Sequence, residues 1–226
     1  MPNLSPFCTK LETYLRVSET AHTVEPAQLT KTPRGKIPYL ELDGRVLADS
    51  QHIIEELERR AAQPLDAGLS DLDRASGRMV RRTLEEATYF FGVRLRWIED
   101  EGWPLLATEL KKLLPGPAKL LAPPLIRRKV TQMLRGQGTG RHSLEEINHM
   151  LADDWAAVAT ILGDKPFLLG DAPRTVDCTV YAFLEAVLGF PAKSPARTAV
   201  GGHANLVAYR QRFRDRWWSD LPASAS

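Results

Sequence analysis

The chain is poor in cysteine: Cys8 and Cys178, far apart in sequence, are its only two. A disulfide-rich scaffold is thereby excluded, and a reducing compartment, the cytoplasm, is the expected location. Charge imbalance is also missing, with 30 Lys and Arg against 28 Asp and Glu. A chain-wide nucleic-acid footprint is therefore not expected. No stretch approaches about 18 uninterrupted apolar residues, so no transmembrane segment is expected. The opening Met1-Pro2-Asn3-Leu4-Ser5-Pro6 has no basic segment leading into an apolar run, so it does not read as a signal peptide. His22, His52, His142, His149 and His203 lack metal-ligand spacing, and no metal is expected. What remains is a globular chain of 226 residues, 43% of them hydrophobic. That is enough for one large domain or two small ones to bury a core without staples.

The first 60 residues change period quickly. Phe7, Leu11, Tyr14 and Leu15 recur at helical spacing, with Lys10, Glu12 and Thr13 on the other side. Ser5-Pro6 is a helix start: a capping hydroxyl, then a ring already fixed at helical φ. An extended piece is predicted near Thr23 to Glu25, then a loop through Thr32-Pro33-Arg34-Gly35. Two β-rich runs, residues 37–42 and 45–48, flank Asp43-Gly44, a two-residue hairpin signal. Asp49-Ser50 opens the next helix. Gln63-Pro64-Leu65-Asp66 reads as a linker, and only helical periodicity follows it. One long helix is predicted over residues 71–100, a proline-broken region over 104–124 and a helix over 125–136. Ser143 and Glu146 form a capping box for a helix reaching Leu162. Further helices begin near Thr175 and after Asn205. The expected organisation is a small α/β domain, residues 1–62, followed by an all-α domain, residues 63–226.

Three short stretches in the first domain bear on chemistry. Ser5 and Cys8 sit at a helix N-terminus, where unpaired N–H groups and a positive end stabilise a thiolate. Read alone, they equally suit an N-cap and a small buried thiol. With Ser5 at the first position of Ser5-Pro6-Phe7-Cys8, a dithiol redox motif is excluded. Lys36-Ile37-Pro38 places a proline at a strand entrance, which fits an edge strand or a cis turn. At Asp49-Ser50 a backbone N–H and a hydroxyl together suit a carboxylate at a helix's positive end; a plain N-cap is the alternative. In this order the three stretches can line one groove.

That order carries a resemblance. SPFCTKLETYL, RGKIPYLELDGRVLADSQHIIEEL, GQGTGRHSLEEI, LGDKPFLLGDAPRTVDCTVYAFL and NLVAYRQRFRDRWW together resemble the glutathione S-transferase superfamily. Among its members the metaxin-like branch that includes the failed axon connections proteins and their bacterial relatives is the most similar. The resemblance implies a thioredoxin-like N-terminal domain and an all-helical C-terminal domain, with glutathione as co-substrate in detoxification-type transfer. By position, Ser5 matches the family's activating residue, with Cys8 a second catalytic candidate. Pro38 matches its cis-proline, with Ile37 pairing to the cysteinyl unit of glutathione. Asp49 and Ser50 match the pair holding the γ-glutamyl end, and Lys36 is a candidate for the glycyl carboxylate. Tyr89, Phe90 and Trp97 are candidates for the wall of a pocket taking a small apolar electrophile; an aromatic core is the other reading for each. The resemblance is compatible with a homodimer. A non-catalytic, metaxin-like interaction protein is the alternative function.

Two departures from the family pattern stand out. The residue three before Asp177 is Arg174 rather than a capping Ser or Thr, leaving Thr175 to cap. Only four residues precede Ser5, too few for the strand that the family places first in its sheet. The expectation is a chain shortened at its N-terminus, with strands near Val24 and Leu40 flanking a gap. Finally, residues 105–141 carry eight basic side chains against one acid, Glu109, a net +7. A solvated helical face over core leucines is the simpler reading, and a membrane-surface face the other. Cys178 and Asp177 are read as core and helix-start support.

Overall fold

The computed structural model describes residues 1–27, 32–114 and 116–221, the side chain of Arg34 excepted. The Ala-Ser tail lies outside these residues. Helix α1, Pro6–Val17, starts where the sequence places it, with the Ser5 hydroxyl accepting from Cys8 N–H. A 3-10 turn, Pro33–Gly35, leads into strands β1, Tyr39–Leu42, and β2, Arg45–Ala48. Asp43 and Gly44 join them with φ of 51° and 71°. Two consecutive positive φ values are what a type I′ hairpin turn requires. The ladder pairs Leu42 with Arg45 and Tyr39 with Ala48. Helix α2, Ser50–Arg60, follows at once.

The rest is helical. Helix α3, Asp71–Thr83, passes through a π-helical turn, Leu84–Thr88, into α4, Tyr89–Trp97. Then come α5, Trp103–Leu113, α6, Ala118–Gln137, a 3-10 turn, Thr139–Arg141, and α7, Leu144–Leu162. Helices α8, Thr175–Leu188, α9, Pro195–Gly201, and α10, Ala204–Trp217, complete the order. The Ser143–Glu146 capping box is present. This is a thioredoxin-like N-terminal part with an all-helical remainder, as expected from the sequence.

Several expectations need correction. The extended piece near Val24 is not a strand: residues 20–27 carry no regular structure, and Val24 is exposed. Among the described residues the sheet has two strands only. The proline-broken region contains a full helix, α5, and α6 begins seven residues before its predicted start. Pro123 and Pro124 lie inside α6 as its sixth and seventh residues, so the helix runs on without the two N–H bonds a non-proline would make there. Helix α9 has no counterpart in the sequence reading.

The core joins both parts. Leu40 and Leu47, directly opposite in the ladder, pack on a cluster of Leu11, Tyr14, Ile53, Ile54 and Cys178. Cys178 belongs to α8, so this helix closes the N-terminal core as well as its own. The polar side of α1 is not solvated either: Lys10 and Thr13 are fully buried. Thr175 does not cap α8. Its N–H and hydroxyl both donate to Asp66, while the Arg174 guanidinium holds the Leu65 and Ala67 carbonyls. Asp177 takes over the cap, accepting from the N–H groups of Arg174 and Leu168 and from the Tyr209 hydroxyl.

Candidate functional site

The hairpin register brings two of the three stretches together. Because Tyr39 faces Ala48, Pro38 and Asp49 flank the same open end of the ladder. The Ile37–Pro38 bond is cis. Asp49 holds φ at 77°, a conformation that costs a non-glycine residue about 1–3 kcal/mol. Its Oδ1 accepts from the N–H groups of Gln51, at 2.9 Å, and His52, at 3.4 Å. Both bonds fall on one oxygen, which leaves Oδ2 for a cation. Ser50 is buried and is the first residue of α2, where its N–H has no carbonyl one turn back to bond. Lys36 is exposed at the end of the 3-10 turn.

The start of α1 joins this end through Lys10. Its ammonium donates to Gln51 Oε1 at 2.8 Å and to Glu85 Oε1 at 2.5 Å. Arg81 donates to the other Glu85 oxygen at 2.9 Å. Burial pulls the Lys10 ammonium below its ordinary range, and Glu85 opposes that shift. Lys10, through Gln51 and Glu85, therefore ties α1 and the first turn of α2 to the π-turn, a buried pairing that periodicity alone could not show.

Ser5 is fixed from both sides. Its N–H donates to Asn3 Oδ1 at 2.9 Å, and its oxygen accepts from Cys8 N–H at 3.4 Å. Arg96 of α4 holds the preceding Leu4 carbonyl at 2.9 Å and the Ala186 carbonyl at 2.5 Å. Burial lowers Arg96 to about 10, which still leaves it charged at neutral pH. Sequence reasoning missed Arg96, since nothing local marks a guanidinium that bonds carbonyls from two distant segments. The Cys8 thiol is raised by burial, with Ser5 opposing and Glu12 adding to the rise. It is held as a thiol, unlike an activated nucleophile.

Of the aromatic candidates, Tyr89 lies closest to this start. Its ring meets Phe7 edge-on at 5.0 Å and Phe90 at 5.2 Å. Phe7 in turn contacts Phe183 at 5.5 Å. Trp97 lies about 12 Å further along α4 and pairs with Trp103 at 6.2 Å. The structure thus brings Tyr89 beside the start of α1, with Phe90 against Tyr89, and places Trp97 apart. A cleft of about 350 Å³ lies along α2 instead, lined by Gln51, Glu55, Glu58, Asp66, Arg74 and Thr175 among others. Among the described residues no cluster of His, Cys, Asp and Glu has the makings of a metal site. No helix among them is long and apolar enough to cross a membrane.

Comparison with known proteins gives this geometry a context. Residues 6–102 match the glutathione S-transferase N-terminal domain and residues 151–213 the glutathione S-transferase C-terminal domain. The chain is 30% identical to the isoprene-epoxide–glutathione S-transferase of Rhodococcus sp. (strain AD45), covering 96% of this chain and 94% of that one. It is also 30% identical to Failed axon connections of Drosophila melanogaster, over 97% of this chain but 56% of that protein. The mitochondrial outer membrane import complex protein metaxin of Arabidopsis thaliana is 24% identical over 100% of this chain and 71% of its own length. Among solved structures, a glutathione S-transferase from Rhodospirillum rubrum F11 superposes with a TM-score of 0.64 at 15% identity, covering 94% and 85% of the two chains. At that identity the likeness concerns the fold alone.

Proposed function

This chain belongs to the glutathione S-transferase family, in its metaxin-like branch, and we propose that it binds glutathione and joins it to a small apolar electrophile. The observation carrying this reading is the convergence of the cis Ile37–Pro38 bond and Asp49–Ser50 at one end of the hairpin. In the proposed complex the Ile37 backbone pairs with the cysteinyl unit. The Ser50 N–H and hydroxyl hold the γ-glutamyl carboxylate, Asp49 Oδ2 its ammonium and Lys36 the glycyl carboxylate. The Ser5 hydroxyl hydrogen-bonds the glutathione thiolate, keeping its own proton, and the sulfur then attacks the electrophilic carbon. A C–S bond forms, and the electron pair leaves with the displaced group or the opened ring oxygen, which takes a proton from water.

Magnitudes locate the catalysis. Lowering a thiol from about 8.5 to about 6.5 raises its thiolate fraction at pH 7 from ~3% to ~75%. Lost nucleophilicity returns about eightfold of that gain, so Ser5 supplies only about threefold. Holding thiol and electrophile together is worth up to ~7–11 kcal/mol, so the electrophile pocket, with Tyr89 and Phe90 as its proposed wall, matters more than the hydroxyl. Small epoxides are the first electrophiles to test, given the substrate named for the Rhodococcus relative.

The test is calorimetric titration with glutathione, followed by turnover with epoxides. Ser50→Ala weakens glutathione binding by about 1.5–3 kcal/mol, the value of a hydrogen bond to a charged group. Cys8→Ala leaves turnover intact, whereas Ser5→Ala raises the pKa of the bound thiol. Unchanged affinity in Ser50→Ala would remove that residue from the site. An absence of binding by wild type at millimolar glutathione would favour a second reading, an interaction protein without turnover. The similarity to Failed axon connections and metaxin over nearly the whole of this chain supports that alternative.

A further inference from the structure

Helices α5 and α6 form an antiparallel hairpin. Arg127, midway along α6, donates to the Trp97 and Ile98 carbonyls and lies 4.8 Å over the ring of Trp103, the first residue of α5. From that anchor both helices run about 15 Å to the tip. Between anchor and tip the expected core leucines are not core. Leu113, Leu120, Leu121 and Leu125 are 72%, 70%, 66% and 60% exposed. Lys111, Lys112 and Lys119 lie among them, and Arg128 and Lys129 follow at the anchor one turn beyond Leu125, all exposed. Among the described residues only Lys112 is paired, with Glu109 of its own helix at 2.7 Å.

We propose that this tip docks onto an anionic phospholipid surface. Two features select that occupant. The leucines stand exposed towards the end of the hairpin, and apolar side chains rimmed by Lys and Arg suit the interface of an anionic bilayer. The flanking cations then lie at headgroup depth, where each Lys or Arg near an anionic surface contributes about fivefold in partitioning. A second copy of this chain would bring the same unneutralised cations face to face, which opposes self-association through this end. Exposed apolar clusters on a folded protein mark interaction sites, and the charge around this one names the sign of its partner.

Co-sedimentation of the full chain with extruded vesicles tests the proposal. Vesicles of phosphatidylcholine with about 30 mol% phosphatidylglycerol bind at least tenfold better than phosphatidylcholine alone at about 50 mM NaCl, and binding falls at about 0.5 M NaCl. Leu120→Ser with Leu121→Ser lowers binding to anionic vesicles at least tenfold, as does Lys119→Glu with Arg128→Glu. Circular-dichroism melts of both double variants match wild type, which separates lost docking from lost folding. Three results would each overturn the proposal: no sedimentation of wild type with anionic vesicles, equal binding by both double variants, or a wild-type dimer in sedimentation velocity that the leucine variant dissociates.

Discussion

Helices α8 and α6 share a secondary structure and little else. Residues 176–185 of α8 are buried without interruption, whereas α6 buries only Pro123 and Leu134 of its twenty residues. The charges differ in the same sense. Asp177 of α8 is bonded by two backbone N–H groups and a tyrosine hydroxyl. Glu185 of the same helix accepts from Arg210 and Arg214. On α6, Arg128 and Lys129 meet water. A charge inside α8 must find partners because desolvation is severe there, while a charge on α6 needs none. One helix therefore organises both halves of the molecule, and the other is free to present a surface.

The strongest way to break this contrast is Asp177→Ala. It leaves the Leu168 and Arg174 N–H groups unpaired in the core and removes one of the Tyr209 hydroxyl's two bonds. We expect a loss of about 3–5 kcal/mol in urea unfolding. A loss under ~1 kcal/mol would show that α8 is less committed than its burial suggests.

A second measurement sharpens the contrast through pH. Burial pushes Asp177 up to about 6 from its ordinary 3.8, against the three hydrogen bonds that favour the charged form. A carboxylate raised in the folded chain takes its proton there first. Its contribution is thus complete below about pH 3.8 and is lost as the pH rises through 6. The gap corresponds to about 3 kcal/mol. Relative to Asp177→Asn, wild type gains up to that amount between pH 7 and pH 4. A stability difference independent of pH would mean that Asp177 stays charged throughout.

The smallest expected effect lies on α6. Leu121→Ser removes an exposed side chain with no core contact, so unfolding free energy changes by no more than about 0.5 kcal/mol. A larger loss would place that residue in an interface or core of the folded chain and erase the difference between the helices.

What could be read in advance follows the range of the forces involved. Ser5-Pro6, Asp43-Gly44, Asp49-Ser50 and the Ser143–Glu146 box are local devices, each completed by residues within four positions, and each appears where its chemistry requires. Asp177 and Cys178 were legible for the same reason, one as helix-start support and the other as an apolar position. The proline-broken region misled because two prolines are expected to end a helix, whereas α6 runs on through Pro123 and Pro124 without their two N–H bonds. The strand expected near Val24 failed because strand propensity without a paired neighbour does not make a strand.

The sequence by itself determined the start of each helix around the site, the hairpin and its turn, and the residue types available to hold a peptide-like ligand. Tertiary structure alone decided which sides were covered. Lys10, on the polar side of α1, became a buried tie between helices because Glu85 and Gln51 close over it. Arg96 became the anchor of Leu4 only when α4 was laid beside the chain's start. Leu113, Leu120, Leu121 and Leu125, which periodicity assigns to a core, stand in water because no helix among the described residues covers that end of the α5–α6 hairpin. Burial is a property of what comes to lie opposite a residue, and that partner is supplied by segments tens of positions away.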